Sequence, residues 1–158
     1  MLTIPKTLYE DIIAHCRSRY PKEACGVLAA EARSESGLAS ALRAHGSPGG
    51  APGEVVVHVY PMTNVEDSPI GYSLNPAEQL AVEKQMRQRG QRMIGIYHSH
   101  TASEAYPSSV DVSLAISSDV SYALISLKNR NRPEFKSYRI DGATVSLEEV
   151  VIGQSPRV

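Results

Sequence analysis

Near the amino end, the apolar positions Ile4, Leu8, Ile12, Ile13 and Cys16 recur at helical spacing. Pro5 stands where a first helical turn tolerates a missing amide. The pattern predicts a helix over about 5–19 that stops near Tyr20-Pro21. Ala24–Ala30 is a short apolar run between polar neighbours and reads as a buried strand, with Leu38–Arg43 expected to pair with it as a hairpin across Glu31–Gly37. Gly46–Gly53 reads as a flexible loop, too short to link domains. Glu54–Met62 is β-branched and strand-like. Asn75-Pro76-Ala77-Glu78 has the chemistry of a helix start: an Asn cap, a proline needing no amide partner, and a Glu able to reach back to free amides. That helix should end at Gly90, where a left-handed cap suits glycine.

Met93–Tyr97 is the next expected strand and runs into His98-Ser99-His100. A loop over Thr101–Pro107 should then lead to a short helix over Ser108–Ser117. Tyr122–Leu127, Glu134–Ile140 and Thr144–Ile152 read as three closing strands, with turns at Asn129–Pro133 and Asp141-Gly142. There is no repeat and no internal boundary. The 158 residues are therefore expected to form one α/β domain, a mixed sheet flanked by helices. A chain of that size can bury about 68–70% of its unfolded surface.

The formal net charge of −1 argues against broad binding to nucleic acid or an acidic membrane. The basic run Lys128–Arg132 reads as a solvated turn. No apolar run approaches the roughly 18 residues a membrane span needs. The first residues do not have the pattern of a secretory signal, and Cys16 and Cys25 do not make a disulfide framework, so cytoplasm is the expected compartment. Both thiols read as small buried apolar groups. His15 and His45 are expected at the surface and His58 on a strand face.

The chemistry concentrates in Tyr97–Ala115. Residues two apart on an extended strand point to the same side, so His98 and His100 can aim both imidazoles at one point. Ser108 and Asp111, three apart, share one face of a helix. The seven residues between His100 and Ser108 allow that helix to fold back on the histidines. Two imidazoles and a carboxylate leave a fourth tetrahedral position for water, the open arrangement of a catalytic zinc site. The spacing alone also fits a polar turn with a capping serine. Phosphate-loop, Gly-x-Ser-x-Gly and zinc-deaminase motifs (His-x-Glu with a later Pro-Cys-x-x-Cys) are absent.

His98-Ser99-His100, seven residues, then Ser108-Ser109-Val110-Asp111 resembles the JAMM (MPN+) metalloprotease pattern, and Pro21–Leu28 and Tyr72–Glu78 resemble further family segments in family order. Thr101 stands where many members have proline. The resemblance implies a cytidine-deaminase-like sheet and Zn2+ on His98, His100 and Asp111. It also implies Ser108 beside the water or the oxyanion, and Glu23 as the upstream acid. Nothing in its spacing would single out Glu23 from Glu10, Glu31 or Glu104. The short bacterial members resembled here act on ubiquitin-like sulfur carrier proteins, which makes such a carrier the implied partner. A silent protein-binding scaffold and a zinc amidohydrolase for another small substrate stay open.

Overall fold

A computed structural model describes residues 1–33 and 53–153. The expected hairpin strand Leu38–Arg43, His45 and most of the Gly46–Gly53 loop lie outside them. Its elements are β1 (Leu2–Pro5), α1 (Lys6–Arg19), β2 (Cys25–Glu31), β3 (Glu54–Val55), β4 (His58–Met62), α2 (Pro76–Gln88), β5 (Gln91–His100), α3 (Ser109–Ser113), β6 (Ser121–Ser126), β7 (Glu134–Asp141), β8 (Thr144–Glu148) and β9 (Val150–Gly153). A six-stranded mixed sheet runs β4-β2-β5-β6-β7-β8, and a three-stranded parallel sheet runs β3-β1-β9. Among the described strands of the larger sheet, β5 and β6 pair in parallel and the other neighbours are antiparallel.

Burial alternates across the sheet as strand geometry requires. Leu28, Tyr97, Ala123 and Ile125 pack with Ile12 and Cys16 of α1 on one face. Cys25, Val27 and Ala29 pack with Tyr60, Met62 and Met86 of α2 on the other. Asn75 caps α2 as expected, its Oδ1 accepting from the amides of Ala77 (2.9 Å) and Glu78 (3.2 Å). Glu78 does not turn back to the helix start. Its carboxylate accepts instead from the Thr63 amide (2.8 Å) and hydroxyl (2.7 Å), tying α2 to the end of β4. Gly90 has the positive φ (64°) anticipated for it.

Five expectations are corrected. Ile4, expected in the helical stripe, belongs with Leu2 to a strand; both are fully buried. Glu54–Met62 is two strands, and Thr144–Ile152 breaks at Glu149, passing from the large sheet to the small one. The helix after Ser108 ends at Ser113, because the Tyr122 hydroxyl takes the amides of Ile116 (2.8 Å) and Ser117 (3.1 Å). His15 is half-buried, its Nδ1 2.8 Å from the Tyr97 hydroxyl.

The β2–β5 register is locked locally. Leu28 pairs with Gly95 and Ala29 with Met93, leaving Ile94 as the extra residue of a bulge. Gly26 pairs with Tyr97, whose ring lies over it: a Cβ at position 26 would sit 2.3 Å from that ring and 2.6 Å from the Tyr60 carbonyl oxygen. Both obstacles are rigid. Gly26→Ala should therefore cost at least the ~1–3 kcal/mol usual for overpacking, seen as a lower urea midpoint; an unchanged midpoint would refute this reading. Among the described residues, no helix is long and apolar enough to cross a membrane.

Candidate metal centre

β5 ends at the site. His98 and His100 project to the cleft side, while Tyr97 and Ser99 project toward α1. α3 begins at Ser108 with a reciprocal cap: Ser108 Oγ accepts from the Asp111 amide (3.1 Å), and Asp111 Oδ2 accepts from the Ser108 amide (2.7 Å). These two bonds turn the Asp111 carboxylate toward the histidines. His98 Nε2 and His100 Nε2 lie 3.1 Å apart, and Asp111 Oδ1 and Oδ2 each stand 3.3 Å from one of them. A tetrahedral ion with bonds of about 2.0–2.1 Å needs its ligand atoms about 3.3 Å apart, so the donor set fits. One Nε2 from each histidine and one carboxylate oxygen all fall within 4.8 Å of one another.

Partners around the three donors set ring and charge. His100 Nδ1 donates to the Glu104 carbonyl (2.8 Å), which leaves Nε2 free to face a metal. Tyr72 stacks on His98 with ring centroids 4.3 Å apart. Burial lowers the pKa of His98 and favours the neutral, metal-binding imidazole. At His100 burial also opposes charge, but Asp111, the Glu104 carbonyl and Glu23 outweigh it and raise the pKa. Burial pushes the Asp111 carboxyl up, whereas hydrogen bonds from both histidines and the Ser108 amide hold it far below the usual carboxylate range. A metal competes with a proton for the His100 ring, so affinity should rise with pH.

Glu23 lies just before β2 and lines the same cleft, about 250 Å³, as His100, Ser108 and Asp111, with Pro69, Ile70 and Thr101–Ser103 as walls. It is 5% exposed. Among the described residues its carboxyl makes no hydrogen bond. Burial, with repulsion from Asp111 and Glu66 and against attraction to His100, raises its pKa to about 7. Four of the five sequence-predicted residues, Glu23, His100, Ser108 and Asp111, thus line one cleft, and the fifth, His98, lies buried beside it in the cluster with His100 and Asp111. Cys25, two residues after the acid, is buried with its thiol pushed up to about 12 by burial, the state of a small apolar group.

Sequence reasoning missed the residues that position Glu23. Its amide donates to the Ser68 carbonyl (2.9 Å), and the next amide, of Ala24, donates to the hydroxyl of fully buried Ser99 (2.8 Å). Asn64 Nδ2 donates to the carbonyls of Glu23 (3.1 Å) and Gly71 (2.9 Å), while its Oδ1 accepts from the amides of Glu66 (3.1 Å) and Ser73 (3.0 Å). One buried amide side chain therefore joins the acid to the loop bearing Ile70 and Tyr72. An isolated Asn before a turn carries no local signal of this. Ser99, central in His-Ser-His, was visible but unassigned.

Ser108→Ala removes the side-chain half of the cap, the acceptor of the Asp111 amide, and leaves the Ser108 amide as the cap's remaining hold on the Asp111 carboxylate. It should cost about 0.5–2 kcal/mol of stability and weaken metal binding measurably in a competition titration. Wild-type metal affinity in the variant would separate the cap from the ligand.

The fold and the cluster define a small α/β protein that gathers two imidazoles and a carboxylate at the C-terminal end of its parallel strand pair. The chain belongs to the family described as prokaryotic homologs of the JAB domain, which matches residues 5–141. It is 41% identical over 150 residues to the CysO-cysteine peptidase of Mycobacterium tuberculosis, covering 95% of this chain and 90% of that one. The desampylase of Haloferax volcanii is 27% identical over 115 residues, 70% of this chain and 69% of that one. A solution structure from Desulfitobacterium hafniense superposes with a TM-score of 0.80 at 34% identity, covering 98% of this chain and 94% of that one.

Proposed function

We propose that this chain is a zinc-dependent peptidase that hydrolyses the peptide or isopeptide bond after the C-terminal Gly-Gly of a ubiquitin-like sulfur carrier protein. The observation that carries the reading is the cluster of His98, His100 and Asp111, with the two Nε2 atoms 3.1 Å apart, each 3.3 Å from one carboxylate oxygen, and one ligand atom from each residue within 4.8 Å of the others, beside a cleft that also holds the buried Glu23. The names of the relatives, CysO-cysteine peptidase and desampylase, support the same reaction class.

His98, His100 and Asp111 would hold zinc, which when bound lowers the pKa of a water from about 15.7 to near 7 and polarises a carbonyl. Glu23 takes a proton at its carboxylate and returns it to the leaving amine; a pKa near neutrality suits both transfers. The Ser108 oxygen is occupied by the Asp111 amide, so its O–H is free to donate to a developing oxyanion. Tyr72 covers one face of His98 and keeps water from it. The walls at Pro69–Ile70 and Thr101–Ser103 leave a narrow groove, and a Gly-Gly tail lets the substrate backbone approach closely.

The test is to incubate zinc-loaded protein with a carrier–cysteine conjugate and follow released cysteine by mass spectrometry, beside an Ala-Ala tail. Release from Gly-Gly that slows sharply with Ala-Ala is the expected result. Equal rates would favour another small amide substrate. No hydrolysis with zinc bound would favour a binding scaffold.

A further inference from the structure

A second cleft, of about 860 Å³, is lined by Arg17, Tyr20, Lys128, Asn129, Arg130 and Asn131. Its cations are held in place. Arg17 donates twice, from Nε (3.2 Å) and a terminal nitrogen (2.9 Å), to the carbonyl of Arg130. The Arg130 guanidinium lies over the Tyr20 ring, 4.5 Å from its centroid. Arg132 follows in the same exposed loop. Among the described residues no carboxylate pairs with Arg17, Arg130 or Arg132; Lys128 meets Glu104 at 3.7 Å. In a chain of net charge −1, this is a local excess of preorganised positive charge.

Its position is tied to the metal centre on both flanks. His100 pairs with Ser126 at the ends of the parallel strands, and the next amide, of Leu127, donates to the His100 carbonyl (2.8 Å) immediately before Lys128. On the other side, Tyr20 stands three residues before Glu23. The basic cleft therefore opens at the same end of the sheet as the catalytic groove, on the α1 side. A folded protein whose tail enters the groove would overhang that end.

Resting on the function proposed above, we infer that this cleft is a docking site for an acidic surface of the ubiquitin-like body of the substrate, acting on encounter and KM rather than on bond cleavage. Two guanidinium groups fixed in direction, one by a carbonyl and one by a ring, present free N–H edges that match carboxylates. Exposed charges of this kind raise association rates and are screened within about 8–10 Å at ordinary salt. A solvated turn would need neither the Arg17 clamp nor the Tyr20 platform.

The experiment uses the zinc-loaded full chain, Arg130→Glu, and Arg17→Glu as a second variant. The two probes are the CysO–cysteine conjugate and a short peptide copying its tail. Metal content and melting temperature are measured alongside. The expected result is a KM for the conjugate that rises with sodium chloride in wild type and rises about tenfold or more in Arg130→Glu. Its kcat stays unchanged, and so do the kinetics of the tail peptide. Equal KM values for the conjugate in wild type and Arg130→Glu, or a wild-type KM indifferent to salt, overturn the docking site while leaving the peptidase reading intact. If neither probe is cut, the peptidase reading fails instead, and fluorescence anisotropy of the conjugate decides docking. Salt-sensitive binding that Arg130→Glu weakens upholds it; no binding overturns it.

Discussion

Asp111→Ala should leave a folded protein that no longer retains zinc and has lost about 10³–10⁵-fold in kcat/KM, the value of several kcal/mol at about 1.4 kcal/mol per decade. The carboxylate is the group that reaches both imidazoles, at 3.3 Å each, so its removal takes one donor from the cluster and leaves two rings with their Nε2 atoms 3.1 Å apart. It also deletes the acceptor of the Ser108 amide, so α3 frays at its start. His98→Ala should match it in metal loss while sparing that cap. Metal analysis after dialysis, with the melting temperature as control, checks both. Stoichiometric zinc in Asp111→Ala would remove Asp111 from the ligand set.

Glu23→Gln should behave differently, keeping zinc and fold but losing about 10²–10⁴-fold in kcat. Glu23 lines the cleft without belonging to the cluster of His98, His100 and Asp111, so under the proposed function the amide removes a proton carrier and no ligand. The pH dependence follows with a definite sign. Burial raises this pKa to about 7, and the acid must be ionised to accept a proton, so activity falls as pH drops through its pKa. A cation in the triangle favours the ionised form, which sets the acid limb of kcat/KM at or below pH 7. That limb should vanish in Glu23→Gln. Equal zinc loss in Glu23→Gln and His100→Ala would instead make Glu23 a ligand.

The donor triangle was legible because its information is local. Alternation on one strand aims His98 and His100 together, and an i,i+3 pair orients Ser108 with Asp111. Glu23 was legible only through the family resemblance, since what makes it special is burial among residues distant in sequence. β1 was hidden for the same reason. Its partners are β3 and β9, separated from it by roughly 50 and 150 positions, and a parallel pairing leaves no turn between its strands to announce it. The breaks at Val56–Val57 and Glu149 fall where one apolar run serves two sheets, a change of partner that periodicity cannot encode. Helix α3 was overextended because Leu114 and Ile116 continue an apolar spacing, although both are exposed and the chain has already turned onto the Tyr122 hydroxyl.

The contact between Gly26 and Tyr97 reaches beyond packing. Sliding β5 by one residue along β2 would trade the two imidazoles for a phenol and a hydroxyl, and the metal centre would vanish with every backbone hydrogen bond still made. The notch at Gly26 accepts the Tyr97 ring in one frame only, and the bulge at Ile94 gives β5 a second index mark. The pair works as a reading-frame key for the strand. If the cluster holds the proposed zinc, a population of misframed chains would look folded by circular dichroism yet bind substoichiometric metal, and metal stoichiometry, rather than helix or strand content, would be the sensitive gauge of correct assembly.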